Sequence, residues 1–165
     1  MPGAQVSKHW IIGRWSALLL LLFILPVNAG EAITDRPQRL ALLIAASWEG
    51  EGAMHNDLIA MYNALRLRKF SAKEILTLEG QLNRKSFMSF LQKARRRMAD
   101  WRQGDLFFYF GGHGTYTGTD ASEARPGLWL KRDPQQGVEY TVFWDEIFAM
   151  LNVSANVKII LLPDS

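Results

Sequence analysis

A histidine set between glycines carries the strongest chemical signal in this sequence. Residues 111–114 read Gly-Gly-His-Gly and follow directly on the apolar run Leu106, Phe107, Phe108, Tyr109 and Phe110. Imidazole has an ordinary pKa near neutrality, which suits it to proton transfer. The glycines let the backbone turn sharply and let a substrate approach closely. A histidine delivered there by a rigid strand, His113, is a candidate general base or acid; the plain alternative is a side chain that satisfies a turn. His55 is a second candidate, for catalysis or metal binding, although a histidine at a helix start more often caps or flanks the helix.

The elements that must position these residues are set by the apolar pattern. Residues 39–46 are a continuous apolar block after Arg39, bounded by Pro37 and by Gly50 and Gly52, which is the mark of a strand buried on both faces. From 53 to 68 the period becomes helical, with Met54, Leu58, Met61, Tyr62 and Leu65 on one side. A short strand is expected over 74–78, ended by Glu79-Gly80. Asn83 then stands as the N-cap of the clearest helix, whose stripe is Phe87, Phe90, Leu91, Ala94, Met98 and Trp101. Further strands are expected over 106–110 and 157–162, with a small one at 128–130 and a helix over 143–151. Strands that alternate with helices, and are apolar blocks, predict an α/β fold: a three-layer sandwich with a mostly parallel sheet flanked by helices. Sites in such sheets form at the carboxyl ends of the strands. Here those ends are followed by residues 46–52, by Glu79-Gly80, by residues 111–114 and by Pro163-Asp164-Ser165.

Composition bounds the rest. With 165 residues the chain fits one ordinary domain, and 48% hydrophobic residues are enough for a core. It contains no cysteine, which excludes disulfides, thiolate metal sites and a thiol nucleophile within these residues. Residues 1–29 have the order of a secretory signal peptide: Lys8 and Arg14, an apolar run over 15–25, then Pro26 and the small-residue site Val27-Asn28-Ala29. Export to the periplasm or the extracellular space is the expectation, with an uncleaved N-terminal membrane anchor as the alternative. Residues 30–38 read as a linker and 39–165 as the domain. Of the 19 basic residues two lie in the leader, leaving 17 against 16 acidic ones in a nearly neutral mature chain. Nothing in that balance calls for nucleic acid as a partner.

Rival motifs are weak. Gly50 to His55 resembles a dinucleotide fingerprint broken at its third glycine, and Glu49 and Glu51 would repel a pyrophosphate. Arg95, Arg96 and Arg97 fall mostly opposite the apolar stripe of their helix and read as a solvated face. Residues 115–126, with Asp120 and Glu123, read as a long polar active-site loop, with a processing site at Arg125 and calcium binding also weighed. No cofactor is called for, and calcium has no motif behind it.

The run Asp105-Leu106-Phe107-Phe108-Tyr109-Phe110-Gly111-Gly112-His113-Gly114 resembles the segment that carries the catalytic histidine in the caspase and metacaspase superfamily. His55-Asn56-Asp57 resembles that family's N-D-A segment, with Leu58 in place of the alanine. The strand over 157–162 followed by Asp164 and Ser165 resembles the strand that delivers the nucleophile, where metacaspase-like members continue D-x-C-H-S-G. The resemblance spans about residues 39–165. It implies a caspase-like fold and a cysteine endopeptidase acting on protein or peptide substrates. In that setting His113 would be the histidine of a Cys–His dyad and Gly114 would offer a backbone N–H to an oxyanion hole. Asp164 would line the primary specificity pocket and favour cleavage after Arg or Lys. The nucleophile is expected directly after Ser165, so that the sequence is a fragment ending just before it. The alternative from another class is a chain complete at Ser165, a non-catalytic caspase-like module that binds peptides or proteins.

Overall fold

The computed structural model describes residues 38–46, 52–118, 120, 123–131 and 141–164. The leader read at 1–29, all of the linker except Gln38, the stretch 47–51 and Ser165 lie outside the described residues. In chain order the elements are β1 (Arg39–Ala46), α1 (Ala53–Leu67), a 3-10 turn (Ala72–Glu74), β2 (Ile75–Gly80), α2 (Arg84–Met98), β3 (Gly104–Gly111), β4 (His113–Thr117), β5 (Arg125–Trp129), β6 (Thr141–Phe143), α3 (Trp144–Leu151) and β7 (Val157–Asp164).

Four strands build one sheet in the order β2-β1-β3-β7, and every pairing in it is parallel. Successive side chains of a strand point to opposite faces. Leu40, Leu42 and Ile44 of β1 therefore join Leu106, Phe108 and Phe110 of β3 on one face, under Phe87, Leu91 and Ala94 of α2 and Ile147 and Leu151 of α3. Ala41, Leu43 and Ala45 join Phe107 and Tyr109 on the other face, under Leu58 and Leu65 of α1. Both faces are covered by helices, which is why β1 and β3 are unbroken apolar blocks in the sequence. Burying one such leucine or phenylalanine contributes about 1.5–3 kcal/mol. α2 begins where its sequence requires: the Asn83 side chain accepts from Ser86 N at 2.9 Å, and Ser86 Oγ accepts from Asn83 N at 3.2 Å.

β7 differs from the other strands. Its Val157 is buried, but Leu161 and Leu162 are 38% and 36% exposed at the sheet edge. The Asp164 carbonyl accepts a bond from Gly112 N, toward β3, so the backbone of the neighbouring Pro163 faces the outer side. There its missing N–H leaves the β3–β7 ladder intact.

The expected α/β fold with a parallel sheet flanked by helices is present, and a second sheet is added to it. The antiparallel strands form a separate three-stranded sheet, in the order β4-β5-β6. Both ends of the stretch expected as a polar loop over 115–126 are part of it, because β4 runs to Thr117 and β5 starts at Arg125. A search for apolar runs misses such strands, since β4 has polar or glycine residues at most positions and is buried at none. Gly118 begins the turn between them with φ +112°, and a Cβ there would stand 2.8 Å from the Glu123 carbonyl oxygen. Arg125 is a strand residue, paired with Asp145 at 2.7 Å and lying 4.2 Å above the Phe143 ring. Arg84, the first residue of α2, holds Glu146 through two bonds of 2.6 and 3.1 Å and donates to the Thr141 carbonyl at 3.0 Å. That guanidinium lowers the Glu146 carboxyl against the opposing effect of burial, and it ties the small sheet and α3 to α2.

Candidate active site

Parallel pairing brings the carboxyl ends of the four strands to one edge. Ala45 of β1 is level with Glu79 of β2 and Gly111 of β3, and Gly111 is level with Asp164 of β7. Beyond that row β3 leaves through Gly112, and His113 opens β4. The Gly112 N–H donates to the Asp164 carbonyl at 3.1 Å, so the end of β7 lies against the backbone that delivers His113. The two sequence candidates His113 and Asp164 thus share one corner of the sheet although 157–164 and 104–111 are far apart in the chain. The imidazole is half-buried, with its Nε2 shielded from solvent. Gly114 follows it, exposed and opposite Leu128.

The glycines of this exit have packing reasons. A Cβ at Gly111 would stand 3.0 Å from the Tyr109 hydroxyl, and one at Gly112 would stand 2.7 Å from the Phe110 ring. The space left at Gly111 admits the Tyr109 phenol to the strand ends. Tyr109 donates a long bond of 3.5 Å to Asp164 Oδ2. Burial, then the negative charges of Asp164 and Asp57, push the Tyr109 pKa well above its ordinary value, so the phenol stays protonated and remains a donor. Asp57, in the first turns of α1, therefore acts electrostatically on the same corner as Asp164. A neutral donor and two carboxylates at this strand edge can hold a cationic group, with the backbone that delivers His113 alongside.

His55 takes a separate place. Its Nδ1 lies 2.6 Å from Glu79 Oε1, linking the first turn of α1 to the end of β2, and both side chains are more than a third exposed. Glu79 was expected to follow the strand and instead pairs with Ala45 inside it. Among the described residues no group of three or more His, Asp or Glu side chains gathers to hold a metal ion.

Three contributors to this corner were not singled out by the sequence. Tyr109 looks like one more apolar residue of its block. Asp57 entered only through the N-D-A likeness. Trp129, which the β4–β5 register sets opposite His113, reads as part of a small apolar strand. A polar-capable tyrosine at the end of a buried strand was the one available signal. Compared with known proteins, the chain matches no family model, and no curated protein matches it.

Proposed function

We propose that the chain carries the histidine half of a caspase- or metacaspase-type cysteine endopeptidase site, cleaving after Arg or Lys, with the thiol supplied by a residue beyond Ser165. The observation that carries this reading is the β3–β7 junction, where Gly112 N–H meets the Asp164 carbonyl at 3.1 Å. A cysteine that follows Ser165 would be delivered toward the backbone that carries His113. His113 would take the thiol proton, and the thiolate would attack the scissile carbonyl carbon to give a tetrahedral intermediate. The Gly114 N–H would stabilise its oxyanion. His113 would then return the proton to the leaving amine, and water would hydrolyse the thioester. Asp164, steadied by Tyr109 and reinforced by Asp57, would pair with the guanidinium or ammonium of the substrate. The leader read at 1–29 would make this an exported enzyme.

A second reading is a caspase-like module that binds peptides without cleaving them, its carboxyl edge holding a basic side chain through Asp164, to which the Tyr109 hydroxyl donates. The coding sequence after Ser165 separates the two. An in-frame cysteine directly after Ser165 supports the peptidase, and a stop codon there supports the binding module. In a form carrying that cysteine, hydrolysis of Arg and Lys peptide amides should fall by about 10²–10⁴-fold in His113→Ala. Retained activity with an intact fold would sink the dyad.

A further inference from the structure

We infer that Trp129 forms the wall of an aromatic subsite beside His113, so that the ligand of this edge is a peptide with an aromatic side chain adjoining its basic one. The inference rests on reading the carboxyl edge as a peptide site, and it adds a neighbouring subsite to it.

The antiparallel register of β4 and β5 pairs His113 with Trp129 directly. Cross-strand partners project from the same face of a sheet with Cβ atoms roughly 4.5–5.5 Å apart. Whichever way the imidazole faces, the indole therefore faces with it. The flanking residues show which side that is. Leu128 and Leu130 are 1% and 0% exposed and belong to the main core, whereas Trp129 between them is 39% exposed. Alternation along β5 thus turns the indole away from the core that anchors the strand.

A single exposed apolar side chain is ordinary on a protein surface. Ile59, Leu67, Tyr116, Phe148, Leu161 and Leu162 are also exposed, and none of them is in register with His113. Trp129 is distinguished by that register and by the firmness of its platform. β5 is held between β4 and β6, with Thr141 opposite Trp129, buried, and fixed through its carbonyl by Arg84. A platform fixed before binding loses little freedom when a ligand arrives.

The two flanks of His113 then differ in chemistry. On the β7 side stand Asp164 and the charge of Asp57, suited to a cation. On the β5 side stands an open indole, suited to the face or edge of another ring. A basic side chain and an aromatic one, a residue apart on an extended peptide, would meet both.

Two probes test this on the 165-residue chain without any need for turnover: agmatine, which carries the cation alone, and phenylacetyl-agmatine, which adds one ring. Binding is measured by calorimetry. The ring should tighten binding about five- to tenfold in the wild type. Trp129→Ala should erase that gain and leave agmatine unchanged, and Trp129→Phe should restore most of it. The indole N–H resonance of Trp129, assigned by its loss in Trp129→Phe, should move with phenylacetyl-agmatine and not with agmatine. No gain in the wild type, a gain that survives Trp129→Ala, or an unmoved indole resonance each overturns the subsite. Asp164→Asn should weaken both probes and preserve their ratio. If agmatine ignores Asp164→Asn, the cationic reading of the edge falls, while the ratio still judges Trp129.

Discussion

In β1 every residue from Leu40 to Ala46 is 2% exposed or less. In β4 no residue is buried: His113 and Thr115 are half-buried and Gly114, Tyr116 and Thr117 are exposed. The difference follows from what covers each strand. β1 lies between strands on both sides and between helices on both faces, so a polar side chain there would lose its water without gaining a partner. Among the described residues β4 pairs with β5 alone and keeps Gly114, Tyr116 and Thr117 exposed, so a half-buried imidazole is held next to accessible backbone. The candidate site stands where the two kinds of strand join, at the step from Gly111 through Gly112 to His113. The buried sheet supplies rigidity, and the open one supplies access.

Substitutions on the two sides of that junction should behave differently. The largest effect is expected in the parallel sheet. Phe108 is 1% exposed and meets the Trp144 ring edge-on at 5.6 Å. Phe108→Ala should cost about 3–5 kcal/mol in urea unfolding and lower the protection of amides in β1 and β3 together. A loss below 1 kcal/mol would mean that β3 is not the shared centre of the core.

A smaller and more local effect is expected where the small sheet is tied down. Arg84→Met takes two bonds from the part-buried Glu146 and leaves it the Phe143 N–H, at a cost of about 1–3 kcal/mol. Hydrogen exchange should quicken in β6 and the first turn of α3 while β1 stays protected. Equal quickening in both sheets would show that they open as one unit.

The smallest effect concerns pH. Burial acts to raise the Glu74 carboxyl, but bonds from Arg39 and Ser71 outweigh it and hold the pKa at about 2. A carboxylate depressed in the folded state stabilises the fold above its unfolded pKa, and that contribution fades as pH falls through the folded value. Because the pair is partly solvated, on the order of 1 kcal/mol should be lost between about pH 4.5 and 2. Glu74→Gln should flatten that part of the stability profile. An unchanged acid limb would assign the loss to other carboxylates.

Reading the sequence worked best where burial is local. β1, β3 and α2 with its Asn83 cap lie within a few residues of where the apolar pattern puts them, and the exit from β3 into His113 is visible in the run itself. It failed on β4, whose polar ladder has no apolar period, and misplaced the start of β5 by three residues, since Arg125 and Pro126 do not look like a strand. The candidate site was half visible. His113 and Asp164 stood out by their position after apolar strands. Tyr109 was hidden in its strand, Asp57 showed only through the N-D-A likeness, and Trp129 had no local sign of its place.

The sequence alone therefore determined that β1 and β3 are buried, where α2 starts, and that a glycine-flanked histidine leaves the end of a buried strand. Those properties depend on side-chain period and capping within a few turns of chain. Only the tertiary structure decided that β7 lies beside β3, that Gly111 is level with Asp164, that the Tyr109 hydroxyl meets a carboxylate 55 positions away, and that Trp129 stands opposite His113. Those relations are matters of strand order and register, which the whole core sets at once, because a slip of one residue would turn every buried side chain to the wrong face.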